Sequence, residues 1–484
     1  MLEKVHQDRL KKLERIRALG IDPYGGRYDA AEPVAEVLAR FEAAGDGQTA
    51  AAAGRLILMR PMGKLIFGHL RDETGDIQIA LRRNALSETE WELTKLLDLG
   101  DVVAAAGPVT RTRTGEVTIF AESLTLLAKS LLPMPEKYHG LVDVETRYRR
   151  RYLDLMSNPE AMAAAKQRVG IIEHLRRTLR ERRFVEVETP ALQPIYGGAA
   201  ARPFVAHHNT LDCDLYLRIS PELYLKRLLV GGMERVFEFS RVFRNEGIDS
   251  SHSPEYTLLE LYQAYADYEV MMELAEELIA TAAEEVCGSL TLPYEELDID
   301  YARPWRRATY DDLLAEYAGV SRRDPSAMRE KARRLGIEPE GKADAVVAND
   351  LFDQEVERHL IEPTFVRDYP AELCPLTRRK DDDPTLALRF ELFIAGMEIA
   401  NAYTELNDPA VQRENFEQQL AGEDAEETMR VMDEDFIAAL QHGMPPAGGM
   451  GVGVDRLIML LTNRTSIRDV ILFPMLRPEG GTGR

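Results

Sequence analysis

The chain has 484 residues, 45% of them hydrophobic and 29% charged, with a formal net charge of −22. Such a composition belongs to a folded protein of roughly two to four domains, and it excludes an intrinsically disordered chain. The negative charge argues against a protein that coats nucleic acid non-specifically. The sequence shows neither an apolar run of the length that spans a membrane nor a signal-peptide pattern.

Three cysteines, Cys213, Cys287 and Cys374, are far apart in the sequence. Their number and spacing fit neither a disulfide framework nor a zinc site. We therefore expect reduced thiols and a cytoplasmic protein. With the negative net charge and the lack of a membrane-spanning run, we expect neither a membrane nor a DNA partner.

The first 130 residues combine a charged helix with a set of short strands. Helical spacing of leucine and isoleucine predicts a helix over residues 3–19, which a Gly- and Pro-containing stretch ends. Between Gly54 and Ser130, five apolar segments separated by Gly- and Asp-rich turns predict five strands, with a helical stretch after the third. This order is typical of an OB-fold barrel, whose face commonly binds single-stranded nucleic acid.

Charge is distributed unevenly between this part of the chain and the rest. Residues 1–130 hold 18 Lys and Arg against 19 Asp and Glu, whereas the remaining 354 residues hold 42 against 63. A polyanion would therefore meet less repulsion at the N-terminal part. A barrel with a purely structural role is the alternative that the pattern leaves open.

After residue 130 the pattern predicts a second, larger domain. A linker-like segment begins at 131, and an amphipathic helix over 167–184 runs into a strand that Pro190 closes. Residues 204–265 and 388–405 are rich in strands, whereas helices are predicted at 267–287, over most of 310–360 and at 424–440. Strands grouped with helices, without regular βαβ alternation, predict an α+β domain on a largely antiparallel sheet.

The predicted hairpin within residues 234–265 carries charges that a buried sheet usually avoids. Its first strand places Glu238 and Arg244 on one face, and its second strand places Tyr256, Glu260 and Tyr262 on one face. Such a face is costly if it is buried dry, but it suits the floor of a polar ligand site. A structural ion-pair network is the alternative.

A pair of acids lies in the segment RFELFIAGMEIANAYTELND. An Ala-Gly pair at 395–396 predicts a two-residue turn between strands, and in that register Glu391 is diagonal to Glu398. Two carboxylates so placed repel unless a cation lies between them, and Mg²⁺ is held by carboxylates together with substrate phosphates. Strict alternation would put Glu398 and Asn401 on opposite faces, so we predict a bulge near 399–400.

The segment GGMGVGVDRLIMLL combines glycines with an arginine at the start of an apolar helix, Arg456. The free N–H groups and the dipole of a helix N-terminus favour phosphate. A tight turn before a buried helix would also explain the glycines. The combination of this arginine with a separate arginine and two acids indicates a phosphate site.

These segments resemble the three signature motifs of class II aminoacyl-tRNA synthetases. RRFVEVETPAL is similar to motif 1, the segment from Glu234 to Tyr265 to motif 2, and GMGVGVDRLIMLL to motif 3. Within the class, GGAAARPF, SPELYLKRL, FRNEG, MEIANAYTELNDP and DVILFPMLRP resemble the lysyl-tRNA synthetases. The resemblance extends from about residue 20 to residue 478.

The resemblance implies an α+β chain with an N-terminal OB-fold β-barrel and a class II catalytic domain, in which an antiparallel β-sheet is flanked by helices. The implied boundaries are a helical extension at 1–53, an OB-fold anticodon-binding domain at 54–130, a linker at 131–145, the catalytic domain at 146–478 and a flexible tail at 479–484. It also implies a homodimer, since the motif 1 helix and strand, residues 168–190, form the core of the dimer interface in the class.

The implied activity is the ATP-dependent activation of L-lysine and its transfer to tRNA(Lys). The residues that match ATP-binding positions, with both arginines as the catalytic members, are Arg244, Glu246, His252, Tyr256 and Arg456. Glu391 and Glu398 match the magnesium ligands, which implies Mg²⁺ as the cofactor.

The implied lysine pocket is rich in carboxylates, as the binding of an ammonium group requires. Its members are Gly198, Glu222, Glu260, Tyr262, Asn401, Tyr403 and Glu405. Glu222 and Glu405 would meet the side-chain ammonium of lysine, whereas Glu260 and Tyr262 suit its α-amino end.

In the barrel, Arg60, Phe67 and Glu116 match positions that contact anticodon bases, with Phe67 as a stacking platform. A place in the barrel core is the alternative for Phe67. Two departures from the family occur elsewhere: Ser251 stands where many relatives have an arginine, and Cys374 replaces the usual serine. The first leaves the γ-phosphate site with one cation fewer.

Three other functions share parts of this pattern. An aspartyl- or asparaginyl-tRNA synthetase would need a cation for the substrate carboxylate, and the acid-rich set argues against it. The paralogues that lysylate elongation factor P lack the N-terminal barrel. A non-catalytic relative that only binds tRNA tends to lose motif residues such as Arg244 and Glu398, which are present here.

Overall fold

The computed structural model describes residues 2–135, 141–199, 201–421 and 432–479. Residues 136–140 of the predicted linker, 424–431 of a predicted helix and 480–484 of the predicted tail lie outside the described residues. The chain divides into two compact units, Met1–Val142 and Asp143–Arg484, each with its own apolar core. No described helix combines the length and the apolar character that crossing a membrane requires.

In its described residues, the first unit is a closed barrel of six strands with helices around it. The helices are Leu2–Ala18, Val34–Ala44 and Glu88–Thr94. The strands are β1 Gln48–Met62, β2 Leu65–Arg71, β3 Asp76–Arg82, β4 Val102–Arg111, β5 Val117–Ala121 and β6 Ser123–Ala128. They pair in the order β1-β2-β3-β5-β4-β6, and a further pairing of β1 with β4 closes the barrel.

The predicted OB-fold barrel and its first helix are confirmed, but the predicted fifth strand is two strands. β5 lies between β3 and β4, whereas β6 pairs with the other part of β4. β4 changes partner at Gly107, where a Cβ atom would lie 2.1 Å from the carbonyl oxygen of Phe120. The two backbones approach too closely there for any residue but glycine.

The second unit is built on one large sheet. The strands of the unit are β7 Val185–Glu186, β8 Leu192–Gln193, β9 Val205–His208, β10 Cys213–Leu217, β11 Arg235–Phe243, β12 Glu255–Ala264, β13 Thr291–Tyr294, β14 Leu297–Asp300, β15 Arg306–Thr309, β16 Thr364–Pro370, β17 Leu386–Ile394, β18 Met397–Thr404 and β19 Ala447–Gly453. β8, β9 and β10 form one small sheet, and β13 and β14 form another. Within the described residues, the large sheet has the order β15-β16-β17-β18-β19-β12-β11-β7. The pairs at its two edges are parallel, so the predicted antiparallel sheet is mixed at its margins.

Helices pack against one face of this sheet and form the main core with it. Apolar side chains of Pro159–Glu181, Tyr268–Cys287 and Val454–Leu461 meet those of β12, β18 and β19 there. The other helices of the unit are Val144–Arg149, Arg151–Ser157, Glu222–Val230, Tyr310–Leu313, Pro325–Arg334, Asp344–Glu355, Pro409–Ala421, Glu434–Gln441 and Ile467–Val470. The opposite face of the central strands is thereby left for polar groups.

One local prediction in this unit is wrong, and another is incomplete. The strand expected up to Pro190 is reduced to Val185–Glu186, because only these residues pair with β11. The region 204–265 is rich in strands, as predicted, but it also contains the helix Glu222–Val230, which the pattern does not predict. Its closely spaced leucines fit either structure, and the sequence pattern did not separate them.

Candidate active site

The two faces of the central strand β12 have opposite characters. Leu259 and Leu261 belong to the main apolar core. Tyr256, Glu260 and Tyr262 alternate with them and therefore project from the other face, as the sequence pattern predicts. The polar side chains thus share one surface, which forms the floor of the site.

Strand β19 lies between β12 and β18, and its glycines interrupt the rows of side chains on this floor. Gly449 lies in register between Tyr262 and Tyr403. A Cβ atom at Gly449 would lie 2.1 Å from a carboxylate oxygen of Glu405. Gly451 occupies the equivalent place two residues further along the strand. The middle of the floor is therefore bare backbone, which leaves space for a ligand.

A cavity of about 240 Å³ lies over part of this floor. It brings together the following predicted residues: Arg244, Glu246, His252, Tyr256, Glu398, Asn401 and Arg456. Glu391 is not in this lining, but it is directly opposite Asn401 on the neighbouring strand β17. Most of the residues matched to ATP and magnesium thus border one cavity.

Arg244 follows β11 directly and borders the cavity. Its guanidinium carbon lies 5.4 Å from the centre of the Tyr256 ring. Its Nε atom is buried and has no hydrogen-bond partner in the described part of the chain. Since a buried donor without a partner is costly, this position favours a ligand that brings an acceptor, such as a phosphate oxygen.

A second cationic group lies where the helix after β19 begins. Arg456 donates from Nη1 to the carbonyl oxygen of Glu398 (3.0 Å) and from Nη2 to Nε2 of His252 (2.9 Å). Because a guanidinium can only donate, the His252 ring proton is on Nδ1, 2.8 Å from Oδ2 of Asp249. Burial alone would raise the pKa of Asp249, but hydrogen bonds from Ser251 and His252 lower it to about 2.

The hairpin of β17 and β18 carries the two acids matched to magnesium. Its turn is Ala395–Gly396, with φ values of 51° and 71°. The register shifts at Ile399, which is the predicted bulge. As a result, Nδ2 of Asn401 donates to Oε1 of Glu398 at 3.2 Å, so both side chains reach the same side of the sheet.

Glu391 lies in a crowded environment. It accepts a hydrogen bond from the hydroxyl of Tyr369 at 2.7 Å and forms an ion pair with Arg389. Burial and the charge of Glu398 raise the pKa of Glu391 against the opposing effect of Arg389. Burial and the neighbouring carboxylates also raise the pKa of Glu357 to about 8. Carboxylates so close together favour an added cation.

Among the described residues, no three His, Cys, Asp or Glu side chains form a metal site made of protein alone. Mg²⁺ is commonly bound by one or two carboxylates and completed by substrate phosphates and water. Glu391 and Glu398, beside a cavity with two arginines, fit that kind of site.

A buried cluster of charges lies next to this cavity. Its carboxylates, Glu222, Glu260 and Glu405, are at most 4% exposed, and Lys226 is 0% exposed. The Lys226 ammonium lies 2.6 Å from Oε1 of Glu222 and 2.6 Å from Oε2 of Glu405. The sequence predicts the three acids at this site, but not the lysine.

Glu260 is held differently from the other two acids. It accepts hydrogen bonds from the hydroxyls of Tyr262 (2.7 Å) and Ser220 (3.1 Å). Burial, followed by the charge of Glu222, raises the pKa of Glu260 to about 8. Burial also raises the pKa of Glu405 to about 7. The cluster thus holds more negative than positive groups.

The other predicted pocket residues border the same cluster. Gly198 has a φ of 85°, and a Cβ atom there would lie 2.9 Å from Cβ of Glu222. Tyr403 is directly opposite Arg389. The Arg389 guanidinium carbon lies 4.7 Å and 5.5 Å from the ring centres of Tyr369 and Tyr403. The sequence pattern predicts neither Arg389 nor Lys226 at this site.

On the barrel, the three residues matched to anticodon contacts share one face. Arg60 and Phe67 are directly opposite each other on β1 and β2. Glu116 contacts His69, which is two residues from Phe67 on the same face of β2. Ile66 belongs to the barrel core, whereas Phe67 is half-exposed and lies outside it. This placement does not support the alternative of a core residue.

Comparison with known proteins agrees with this architecture. Residues 143–477 match the family of class II tRNA synthetases (D, K and N), and residues 51–127 match the OB-fold nucleic acid binding domain. The lysine–tRNA ligase of Carboxydothermus hydrogenoformans is 50% identical over 483 residues, 99% of each chain. That of Moorella thermoacetica is 50% identical over 477 residues, 97% of each chain.

The lysine–tRNA ligase of Roseiflexus castenholzii is 49% identical over 487 residues, again 99% of each chain. These matches extend over both units and include the motifs that border the cavity. The chain therefore belongs to the lysine–tRNA ligase family of class II tRNA synthetases.

Proposed function

We propose that this chain activates L-lysine with ATP, giving lysyl-adenylate and pyrophosphate, and then transfers lysine to the 3′ end of tRNA(Lys) in the cytoplasm. The observation that carries the choice of amino acid is the buried cluster of Glu222, Glu260 and Glu405 beside the cavity of Arg244. A carboxylate-rich pocket suits an amino acid with two ammonium groups. The names of the relatives support the same assignment.

In the first step, a carboxylate oxygen of lysine attacks the α-phosphorus of ATP, and the bond to the bridging oxygen of the β-phosphate breaks. Arg244 stabilises the charge that develops at the α-phosphate, and no side chain acts as a nucleophile. Tyr256 stacks on adenine and Glu246 accepts a hydrogen bond from its amino group. His252 and Arg456 hold the β- and γ-phosphates. Catalysis is therefore positioning and charge stabilisation.

In the second step, the terminal ribose hydroxyl of tRNA attacks the adenylate carbonyl and loses its proton, and AMP leaves. Glu391 and Glu398 would hold Mg²⁺, and the metal would supply positive charge that neutralises phosphate charge. Asn401 keeps Glu398 oriented through the hydrogen bond at 3.2 Å.

Selectivity for lysine follows from the carboxylates of the pocket. Glu222 and Glu405 bind the side-chain ammonium of lysine, and Glu260 with Tyr262 binds the α-ammonium. An analogue without the side-chain ammonium would leave buried carboxylates unpaired, which permits discrimination of about 10⁴-fold. Amino-acid-dependent ATP–pyrophosphate exchange with all twenty amino acids tests the assignment. Only lysine should support exchange, and a preference for aspartate or asparagine would contradict it.

Lysine binding should strengthen as the pH rises from 6 to 8. In the empty pocket the pKa of Glu405 is about 7 and that of Glu260 about 8, so protons are held at neutral pH. The ammonium groups of lysine favour ionised carboxylates, so binding releases these protons and improves as the pH rises through both values. The KM for lysine in the exchange assay should fall several-fold over this range.

Calorimetry provides a second measurement of the same effect. The heat of lysine binding should differ between phosphate and Tris buffers, because released protons are taken up by the buffer. The KM for ATP, measured in parallel, is the internal control. A KM for lysine that stays constant between pH 6 and 8 would count against ionisation of these acids on binding.

Arg244→Ala should reduce lysine-dependent exchange by about 100- to 1000-fold, because the charge at the α-phosphate loses its partner. The matched control is Arg241→Ala, since Arg241 is an exposed arginine at 3.8 Å from Glu255 on the same hairpin. The control should keep full exchange activity, and circular dichroism should show both variants folded. Exchange by Arg244→Ala within tenfold of the parent would refute the role.

Phe67→Ala should weaken aminoacylation of tRNA by about tenfold to a hundredfold, since one base stack is worth about 1–3 kcal/mol. Pyrophosphate exchange without tRNA should not change. Because Phe67 lies outside the barrel core, the thermal melt should also stay the same. Ile66→Ala is the matched control, and it should lower the melting temperature. A melt of Phe67→Ala that resembles this control would point to a packing role.

The chain should be a homodimer. Val169, on the helix Pro159–Glu181, is 62% exposed, and Val185, on the edge strand β7, is 50% exposed. Exposed apolar residues beside a sheet edge favour contact with a second copy. Light scattering at micromolar concentration should give about twice the chain mass of 54.6 kDa. Val169→Glu should lower this mass, whereas Leu297→Glu, at an exposed hairpin, should not.

A further inference from the structure

Lys226 is a buried cation that the proposed mechanism does not use. It lies one helical turn after Glu222 and is 0% exposed, with its ammonium between Glu222 and Glu405. The centre of the Tyr262 ring is 5.9 Å away. An ammonium is costly to bury unless it is fully paired. Burial alone would lower the pKa of Lys226, but the two carboxylates raise it, so the lysine stays charged.

Several titratable and charged groups surround this ammonium and its carboxylate partners. They come from the helix Glu222–Val230, from β12 and from the end of β18, and they are Glu222, Glu260, Tyr262, Tyr403 and Glu405, with Arg389 beside Tyr403. Arg389 is already paired with Glu391. Lys226 therefore offsets one of three carboxylates and leaves a formal charge of about −2 when all are ionised.

This remaining negative charge is equal in size and opposite in sign to the charge of the two ammonium groups of lysine. One carboxylate oxygen is also left open to a ligand. Neither buried oxygen of Glu405 has a well-oriented hydrogen bond in the described residues, but Oε2 forms an ion pair with Lys226 at 2.6 Å, whereas Oε1 forms none there. Gly449 adds no side chain beside Oε1, where a Cβ atom would lie 2.1 Å away. The carboxylate is thus fixed by one oxygen and free at the other.

We propose that Lys226 is a positioning residue, which acts through Glu222 and Glu405 as a permanent counter-ion and sets the pocket charge for a doubly cationic amino acid. This inference rests on the proposed function. Without Lys226, Glu222 and Glu405 would repel each other, and the pKa of Glu405 would lose the lowering effect of the Lys226 charge. The pocket would then be less negative when lysine arrives, and its carboxylates would no longer be held apart by a fixed cation.

The test is the pH dependence of the lysine KM in pyrophosphate exchange by Lys226→Met, which removes the charge but keeps much of the volume. At pH 7 the KM for lysine should rise about tenfold or more, whereas the KM for ATP should stay within about twofold. The midpoint of the KM profile should move to higher pH. Lys226→Arg, which keeps the charge, should keep the midpoint of the parent, and it tests the same claim if Lys226→Met does not fold.

The double variant Glu222→Gln with Lys226→Met removes one negative and one positive charge together. If net charge sets the profile, its midpoint should return toward that of the parent even though a ligand of lysine is weakened. A midpoint as high as that of Lys226→Met would overturn the charge-matching role.

Lys129 provides a matched control in the first unit. Its ammonium is also buried between two carboxylates, 2.6 Å from Asp98 and 2.8 Å from Asp101. Lys129→Met should leave the pH profile of the lysine KM unchanged, whatever it does to stability. If Lys226→Met only lowers the melting temperature or kcat and keeps the profile of the parent, Lys226 is merely structural. A parent chain without lysine-dependent exchange would instead refute the proposed function.

Discussion

The site depends on the register of β12, β19 and β18. Alternation along these strands sends Leu259, Met450 and Ala402 into the helical core and leaves the opposite face for charged groups and tyrosines. Strand β19, which lies between the other two, contributes Gly449 and Gly451 to that face, so the floor is polar at its sides and has no side chains in the middle. A one-residue slip of β19 would exchange these glycines for core residues and fill the site.

A polar floor inside a large domain is stable only if its charges are compensated. Glu238 is paired with Arg218, Asp455 with Arg168, and Glu391 with Arg389, each as a largely buried ion pair. Glu260 makes no ion pair in the described part of the chain and relies on two hydroxyl groups. These three acids are thus each paired with an arginine, whereas the amino-acid pocket keeps an excess of carboxylates that a cationic substrate would balance.

The sequence predicted correctly those features of the site that depend on residues close together in the chain. The Ala395–Gly396 turn fixes the hairpin register, and the conflict between Glu398 and Asn401 required the bulge at Ile399. Lys226 was missed for the opposite reason. Glu222 and Lys226 are four residues apart on one helix, a spacing that most often marks an exposed ion pair. Only the approach of Glu405, far away in sequence, makes the pair a buried network.

The part of the cavity proposed to bind the nucleotide phosphates is also arranged in advance, although it has one cationic side chain fewer than the family pattern. Ser251 takes the place of an arginine, and its hydroxyl lies 3.1 Å from Asp249 and 3.2 Å from the ring of His252. His252 is thus held by Asp249 at Nδ1 and by Arg456 at Nε2, and Arg456 is held in turn by the Glu398 carbonyl. Because these groups are oriented before a ligand binds, they need little reorganisation when a phosphate binds. This pre-arrangement offsets part of the electrostatic stabilisation that an arginine at position 251 would supply.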